Sequence, residues 1–122
     1  MSVKVGLRLL LLVAAAASAS VAAQADTRHV RSSSPAAEAI IHGPHADYVI
    51  RFDGPVDHQA SRMQIMQSGR VVQSLTPLLD SAADVLFAGA EVPAPGQYQL
   101  HWDARSPDDE DSSGDIPFSV SP

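Results

Sequence analysis

The segment YQLHW, residues 98–102, alternates apolar and polar side chains without a break. Because successive side chains of a β-strand point to opposite faces, its three apolar residues share one face of a strand. The segments YVIRF, residues 48–52, and IPFSV, residues 116–120, likewise have a large apolar residue at every second position. The three segments therefore predict strands whose apolar faces meet in one core.

Glycine and proline residues punctuate the rest of the chain at short intervals, which favours short strands over long helices. The one helical candidate, residues 75–83, contains Pro77, which limits it to a turn or two. The chain has 122 residues, a length typical of one domain. Short strands in this number predict an all-β sandwich or small barrel. The seven predicted strands are 29–33, 47–52, 63–67, 70–75, 84–88, 97–102 and 115–120.

The first 25 residues have the three parts of a secretory signal peptide. Lys4 and Arg8 are followed by the apolar run of residues 9–17 and by small residues that end in Ala23-Gln24-Ala25. The apolar run is too short to span a bilayer, which takes about 20 residues. We therefore expect a signal peptide over residues 1–25, a mature domain over residues 26–122, and no membrane span after cleavage.

Composition excludes several classes of function. The chain has 8 Lys and Arg against 14 Asp and Glu, with a net charge of −6. Its basic residues are scattered, so we expect no nucleic-acid partner, because phosphate binding needs clustered cations. It has no cysteine and no known nucleophile, metalloprotease or phosphate-loop motif. We therefore expect a domain that is not an enzyme and is stabilised by its core alone.

Five histidines follow the predicted signal peptide. His42-Gly43-Pro44-His45 has a spacing that could clamp a metal ion from a turn, with Asp47 as a nearby oxygen donor. The same four residues also suit an ordinary solvated turn, and the sequence leaves both readings open. His101 alternates with the apolar residues of its segment, which indicates a surface position.

The whole predicted mature chain resembles the CopC family of periplasmic copper-resistance proteins. SSSPAA, residues 32–37, and MQIM, residues 63–66, contribute to the resemblance, but its most specific part is the C-terminal stretch. There the family typically reads G-x-Y-x-V-x-W-x-x-x-S-x-D-x-H, followed by a glycine and F-x-V. The matching residues here are Gly96, Tyr98, Leu100, Trp102, Ser106, Asp108, Gly114, Phe118 and Val120.

The resemblance implies an immunoglobulin-like, seven-stranded Greek-key β-barrel or sandwich, in agreement with the strand count. It also implies a Cu(II) site formed by a histidine at the mature N-terminus and by the D-x-H pair. Thr27 stands in place of the terminal histidine and Glu110 in place of the last one, while Asp108 matches. His29, two residues after Thr27, stands where some members of the family carry a second histidine, and the resemblance therefore implies that it supplies an imidazole from a shifted position. The implied metal ligands are therefore His29, Asp108 and Glu110.

Two functions remain open at this point. The first is a periplasmic copper-binding protein in copper homeostasis or resistance, for which a copper-transporting inner-membrane protein is the partner to consider. The second is a CopC-like β-domain that has lost metal and serves as a periplasmic interaction module. The family's methionine-rich Cu(I) loop is also missing, because only four residues separate Met66 from Val71.

We predict cleavage of the signal peptide after Ala25, because Ala23-Gln24-Ala25 is the best small-x-small site behind the apolar run. Mass spectrometry of the exported protein should give a mature N-terminus at Asp26. A mature chain that begins at another residue, or that retains Met1, would contradict the prediction.

Overall fold

The computed structural model describes residues 27–122, so the predicted signal peptide lies outside the described residues. Residues 27–122 form β-strands and no helix, which confirms the all-β prediction. No helix among these residues is long and apolar enough to cross a membrane. The strands are β1 (Val30–Ser34), β2 (Ala39–Ile41), β3 (His45–Phe52), β4 (Arg62–Gln67), β5 (Arg70–Leu75), β6 (Val85–Glu91), β7 (Gly96–Arg105) and β8 (Asp111–Val120).

The strands form two sheets. One has three strands in the order β1-β3-β6, and the other has five in the order β2-β8-β7-β4-β5. All neighbouring strands are antiparallel except β2 and β8, which are parallel. Buried side chains from both sheets form one cluster between them. Of the two predicted architectures, the fold is therefore the sandwich and not the closed barrel.

Two details differ from the sequence prediction. Strand β2 was not predicted, because its three residues are too few to show an alternating pattern. The helix considered for residues 75–83 does not form. This segment instead crosses from β5 in one sheet to β6 in the other, and the Leu78 N–H donates to the Phe87 carbonyl oxygen of β6 at 2.8 Å. In a helix that begins at residue 75 this N–H group would lack an intrahelical partner, whereas the crossing provides one.

The core contains the apolar residues that the alternating segments predicted. Tyr48, Ile50 and Phe52 from β3 are fully buried in it. Strands β7 and β8 supply the facing side, which includes Leu100, Trp102, Ile116, Phe118 and Val120. The prediction of a shared core is confirmed for all these residues.

Trp102 joins the two sheets. Its ring lies 5.1 Å from the ring of Phe52, centroid to centroid, in an edge-to-face arrangement. Its antiparallel neighbour on β8 is Gly114. A Cβ atom at Gly114 would lie only 2.8 Å from Cζ2 of the indole. The indole thus occupies the space that any side chain at position 114 would need.

Pro117 lies within β8, where a missing N–H group usually breaks a ladder. Its carbonyl oxygen accepts a hydrogen bond from the Glu38 N–H at 2.7 Å. The N–H and C=O directions of one strand residue point to the same side, so the missing donor is on the β2 side. There β2 begins to pair only at Phe118, and the ladder between β7 and β8 loses nothing.

We expect Trp102→Ala to lower the free energy of unfolding by about 3–5 kcal/mol, because it removes a large side chain that is only 6% exposed. Urea unfolding followed by circular dichroism measures the change. Val72→Ala, at an exposed position of β5, is the control and should change stability by less than about 0.5 kcal/mol. Equal stability of the two variants would contradict the assigned core.

Candidate metal-binding site

The segment that precedes β1 is attached to both sheets through Arg28. The Arg28 N–H donates to Ser112 Oγ at 2.7 Å, at the start of β8 in the five-stranded sheet. The Arg28 side chain is buried, and its Nε donates to the Pro55 carbonyl oxygen at 2.6 Å, in the turn after β3. The guanidinium packs against Gly54, where a Cβ atom would lie 3.0 Å from Arg28 Cζ. These contacts hold residues 27–29 next to the strand that follows the acidic loop.

His29 is paired with Asp53, a residue that the sequence analysis did not consider. The His29 N–H donates to Asp53 Oδ1 at 3.0 Å, and His29 Nδ1 lies 3.0 Å from Asp53 Oδ2. The carboxylate can only accept, so Nδ1 carries the hydrogen. The His29 side chain is 73% exposed, and its Nε2 has no hydrogen-bond partner among residues 27–122. The pairing with Asp53 therefore leaves His29 Nε2 at the surface with a lone pair that can coordinate a metal ion.

Asp53 is stabilised in its charged form by this arrangement. The hydrogen bond from the His29 backbone N–H, followed by the one from the His29 side chain, lowers the pKa of the Asp53 carboxyl. The negative charge of Asp53 in turn fixes the orientation of the imidazole. This is the usual role of a carboxylate behind a metal-binding histidine.

The acidic loop before β8 is built around the buried hydroxyl of Ser106. Ser106 Oγ accepts hydrogen bonds from the N–H groups of Asp108 and Glu110, each at 3.2 Å. The Ser106 N–H donates to the Glu110 carbonyl oxygen at 2.9 Å, and the Asp109 N–H donates to the Ser106 carbonyl oxygen at 2.9 Å. Asp109 has a positive φ of 66°. The backbone of the loop is thus well defined, while the side chains of residues 108–110 are exposed.

The predicted ligands belong to two segments that a hydrogen bond connects, without forming a finished site. The hydrogen bond between Arg28 and Ser112 brings the residue next to His29 to the strand that begins directly after Glu110. Within residues 27–122, however, no three His, Asp or Glu side chains converge to hold a metal ion. The grouping of His29, Asp108 and Glu110 therefore remains a prediction.

Two other histidines have structural partners. His58 Nε2 contacts the carbonyl oxygens of Ala82 and Val85 at 3.0 and 2.9 Å, and so ties the loop after β3 to the start of β6. His101 lies on the outer face of β7, with Nδ1 2.9 Å from Asp115 and Nε2 3.4 Å from Asp103. His101 therefore has both ring nitrogens close to carboxylate oxygens, and His58 has its Nε2 engaged by carbonyl oxygens.

Comparisons with known proteins identify a family and a shared fold for this chain. The family model of the CopC domain matches residues 30–121. CopC from Methylosinus trichosporium OB3b shares the fold with a TM-score of 0.64 and 24% identity, over 78% of this chain and 94% of that chain. PcoC, a methionine-rich copper resistance protein from Escherichia coli, has a TM-score of 0.61 and 18% identity, over 78% of this chain and 99% of that chain. A search of curated proteins found no significant match.

We expect Ser106→Ala to lower the free energy of unfolding by about 1–3 kcal/mol, because the acidic loop loses the acceptor of two backbone N–H groups. Amide hydrogen exchange at Asp108 and Glu110 should accelerate, since their N–H groups lose protection. Ser113→Ala, at an exposed position of β8, is the matched control with little expected change. Unchanged exchange in the Ser106 variant would show that the hydroxyl does not organise the loop.

Proposed function

The chain belongs to the CopC family, and we propose that it is an exported copper-binding protein that takes part in copper homeostasis or resistance. In this proposal the protein holds copper or passes it on, and it catalyses no reaction. The match of the CopC domain model to residues 30–121 is the observation that carries the proposal. The fold that it shares with PcoC, a copper resistance protein, agrees with it.

We further propose that Cu(II) binds at His29, Asp108 and Glu110. The pairing of His29 with Asp53 supports this assignment, because it leaves Nε2 open toward solvent. The hydrogen bond from Arg28 to Ser112 supports it as well, because it holds the segment of His29 beside the end of the acidic loop. Copper would draw the exposed carboxylates and the imidazole together from these neighbouring positions.

The donor set limits the affinity that this site can reach. It contains one imidazole and two carboxylates, whereas Cu(II) prefers a tetragonal set that is richer in nitrogen. Thr27 and Glu110 stand where the family pattern has histidines. We therefore expect weaker and less selective Cu(II) binding than a complete family site would give.

The predicted signal peptide supports a periplasmic location, where the copper-resistance proteins of the family act. Copper held there must cross the inner membrane before it can be used in the cytoplasm. We therefore propose a copper-transporting inner-membrane protein as the partner of this domain.

An interaction module without metal is the second candidate function. The observation that favours it is the missing convergence of metal-binding side chains in residues 27–122. The replacement of two family ligands by Thr27 and Glu110 points in the same direction. A direct measurement of copper binding separates the two functions.

We expect His29→Ala and Asp108→Ala each to weaken Cu(II) binding by about tenfold or more, because each removes a ligand from a set of three. Glu110→His should tighten binding, since it restores an imidazole. His42→Ala and His45→Ala should leave this binding unchanged, because His42 lies in the turn after β2 and His45 at the start of β3, outside the proposed copper site. Isothermal titration with Cu(II) and the d–d absorption of the bound ion measure the effects.

The same titration decides against the copper site if all four alanine variants bind Cu(II) as the parent does, or if the parent binds none at micromolar metal. The interaction-module function then takes its place. A loss of binding that is confined to the His42 and His45 variants would assign the copper site to these two histidines instead.

A further inference from the structure

His42 and His45 differ from the other three histidines. His29, His58 and His101 each have a ring nitrogen at hydrogen-bond distance from a carboxylate or carbonyl oxygen. Neither His42 nor His45 has such a partner among residues 27–122, and both side chains are exposed. Their ring nitrogens are thus available to a ligand.

The register between β3 and β6 adds a carboxylate that is remote in sequence. His45 lies directly opposite Glu91. Side chains in directly opposite positions of an antiparallel pair have Cβ atoms about 4.5–5.5 Å apart and point to the same face. An imidazole and a carboxylate are therefore neighbours at this end of the three-stranded sheet.

Asp47 adds a second carboxylate on the same face, two residues after His45 along β3. Its opposite residue is Gly89, which has no side chain. Asp47 Oδ1 lies 3.4 Å from the point where a Cβ of Gly89 would be. The carboxylate of Asp47 therefore points toward β6, the strand that also contains Glu91.

The turn keeps His42 at the same end of the sheet. Gly43 has a positive φ of 98°, which allows the chain to reverse between the two histidines. The Pro44 carbonyl oxygen accepts a hydrogen bond from the Val92 N–H at 2.9 Å, directly after β6. The turn is thus attached to the end of the strand that carries Glu91.

We propose that His42, His45, Asp47 and Glu91 form a second metal site, here called the rim site, which takes a divalent ion of the Zn(II) or Ni(II) type. Two imidazoles and two carboxylates are a donor set that such ions accept. Within residues 27–122, Asp47 and Glu91 have no ion pair with a cationic side chain, so their charge attracts a cation. The four exposed side chains are not gathered in advance, and the ion would collect them by side-chain rotation.

Zn(II) titration of the exported protein carrying His29→Ala tests the rim site, because this change removes the histidine of the proposed copper site. We expect one equivalent of Zn(II) to bind. Adding His42→Ala or His45→Ala should weaken binding by about tenfold or more, and Glu91→Gln should weaken it less. Glu38→Gln is the matched control, since it makes the same change at an exposed glutamate before β2.

Long-range proton–nitrogen NMR of the imidazoles identifies the ligands in the same samples. Zn(II) should shift ring nitrogens of His42 and His45 and leave those of His58 and His101 in place. The proposal is overturned if no Zn(II) binds at millimolar metal, if the His42 and His45 variants bind as their parent does, or if His101 shifts instead. None of these results depends on copper binding at His29, so the rim site and the proposed function can fail separately.

Discussion

The packing of the two sheets depends on the edge-to-face contact between Phe52 and Trp102. Phe52 belongs to the three-stranded sheet and Trp102 to the five-stranded one, so this pair of rings spans the layer between them, with Tyr48 and Phe118 as a second, wider-spaced pair. The chain has no cysteine, and no disulfide can replace the contact. The turn after Phe52 holds Arg28, and the loop after β7 holds Ser106. The positions of both parts of the candidate copper site therefore follow from how the two sheets pack.

Alternation in the sequence was sufficient to predict the strands that build the core. The segments 48–52, 98–102 and 116–120 each bury one face completely enough for the pattern to be unambiguous. Strand β2 was not predicted, because it is short and pairs in parallel with β8, a contact that depends on the tertiary fold. The crossing from β5 to β6 was not predicted for the same reason, since the Leu78 N–H donates to a strand of the other sheet.

The candidate sites show where sequence reasoning stops. The family pattern indicated His29, Asp108 and Glu110, but the partner that orients His29 is Asp53, which becomes its neighbour only when β1 pairs with β3. The H-x-x-H spacing was visible in the sequence, whereas Glu91 joins it only through the register of β6. Carboxylates of this kind cannot be assigned from spacing, because antiparallel pairing brings together residues that are far apart in the chain.

The indole of Trp102 and the missing side chain of Gly114 also restrict how the sequence can change over evolution. A side chain at position 114 clashes with the indole of Trp102 unless a smaller side chain has first replaced the tryptophan. A smaller side chain at position 102 leaves a cavity unless a residue larger than glycine stands at position 114. Each single step is thus harmful, while the double step could be neutral. The two positions should therefore behave as one inherited unit, and relatives should differ at both or at neither.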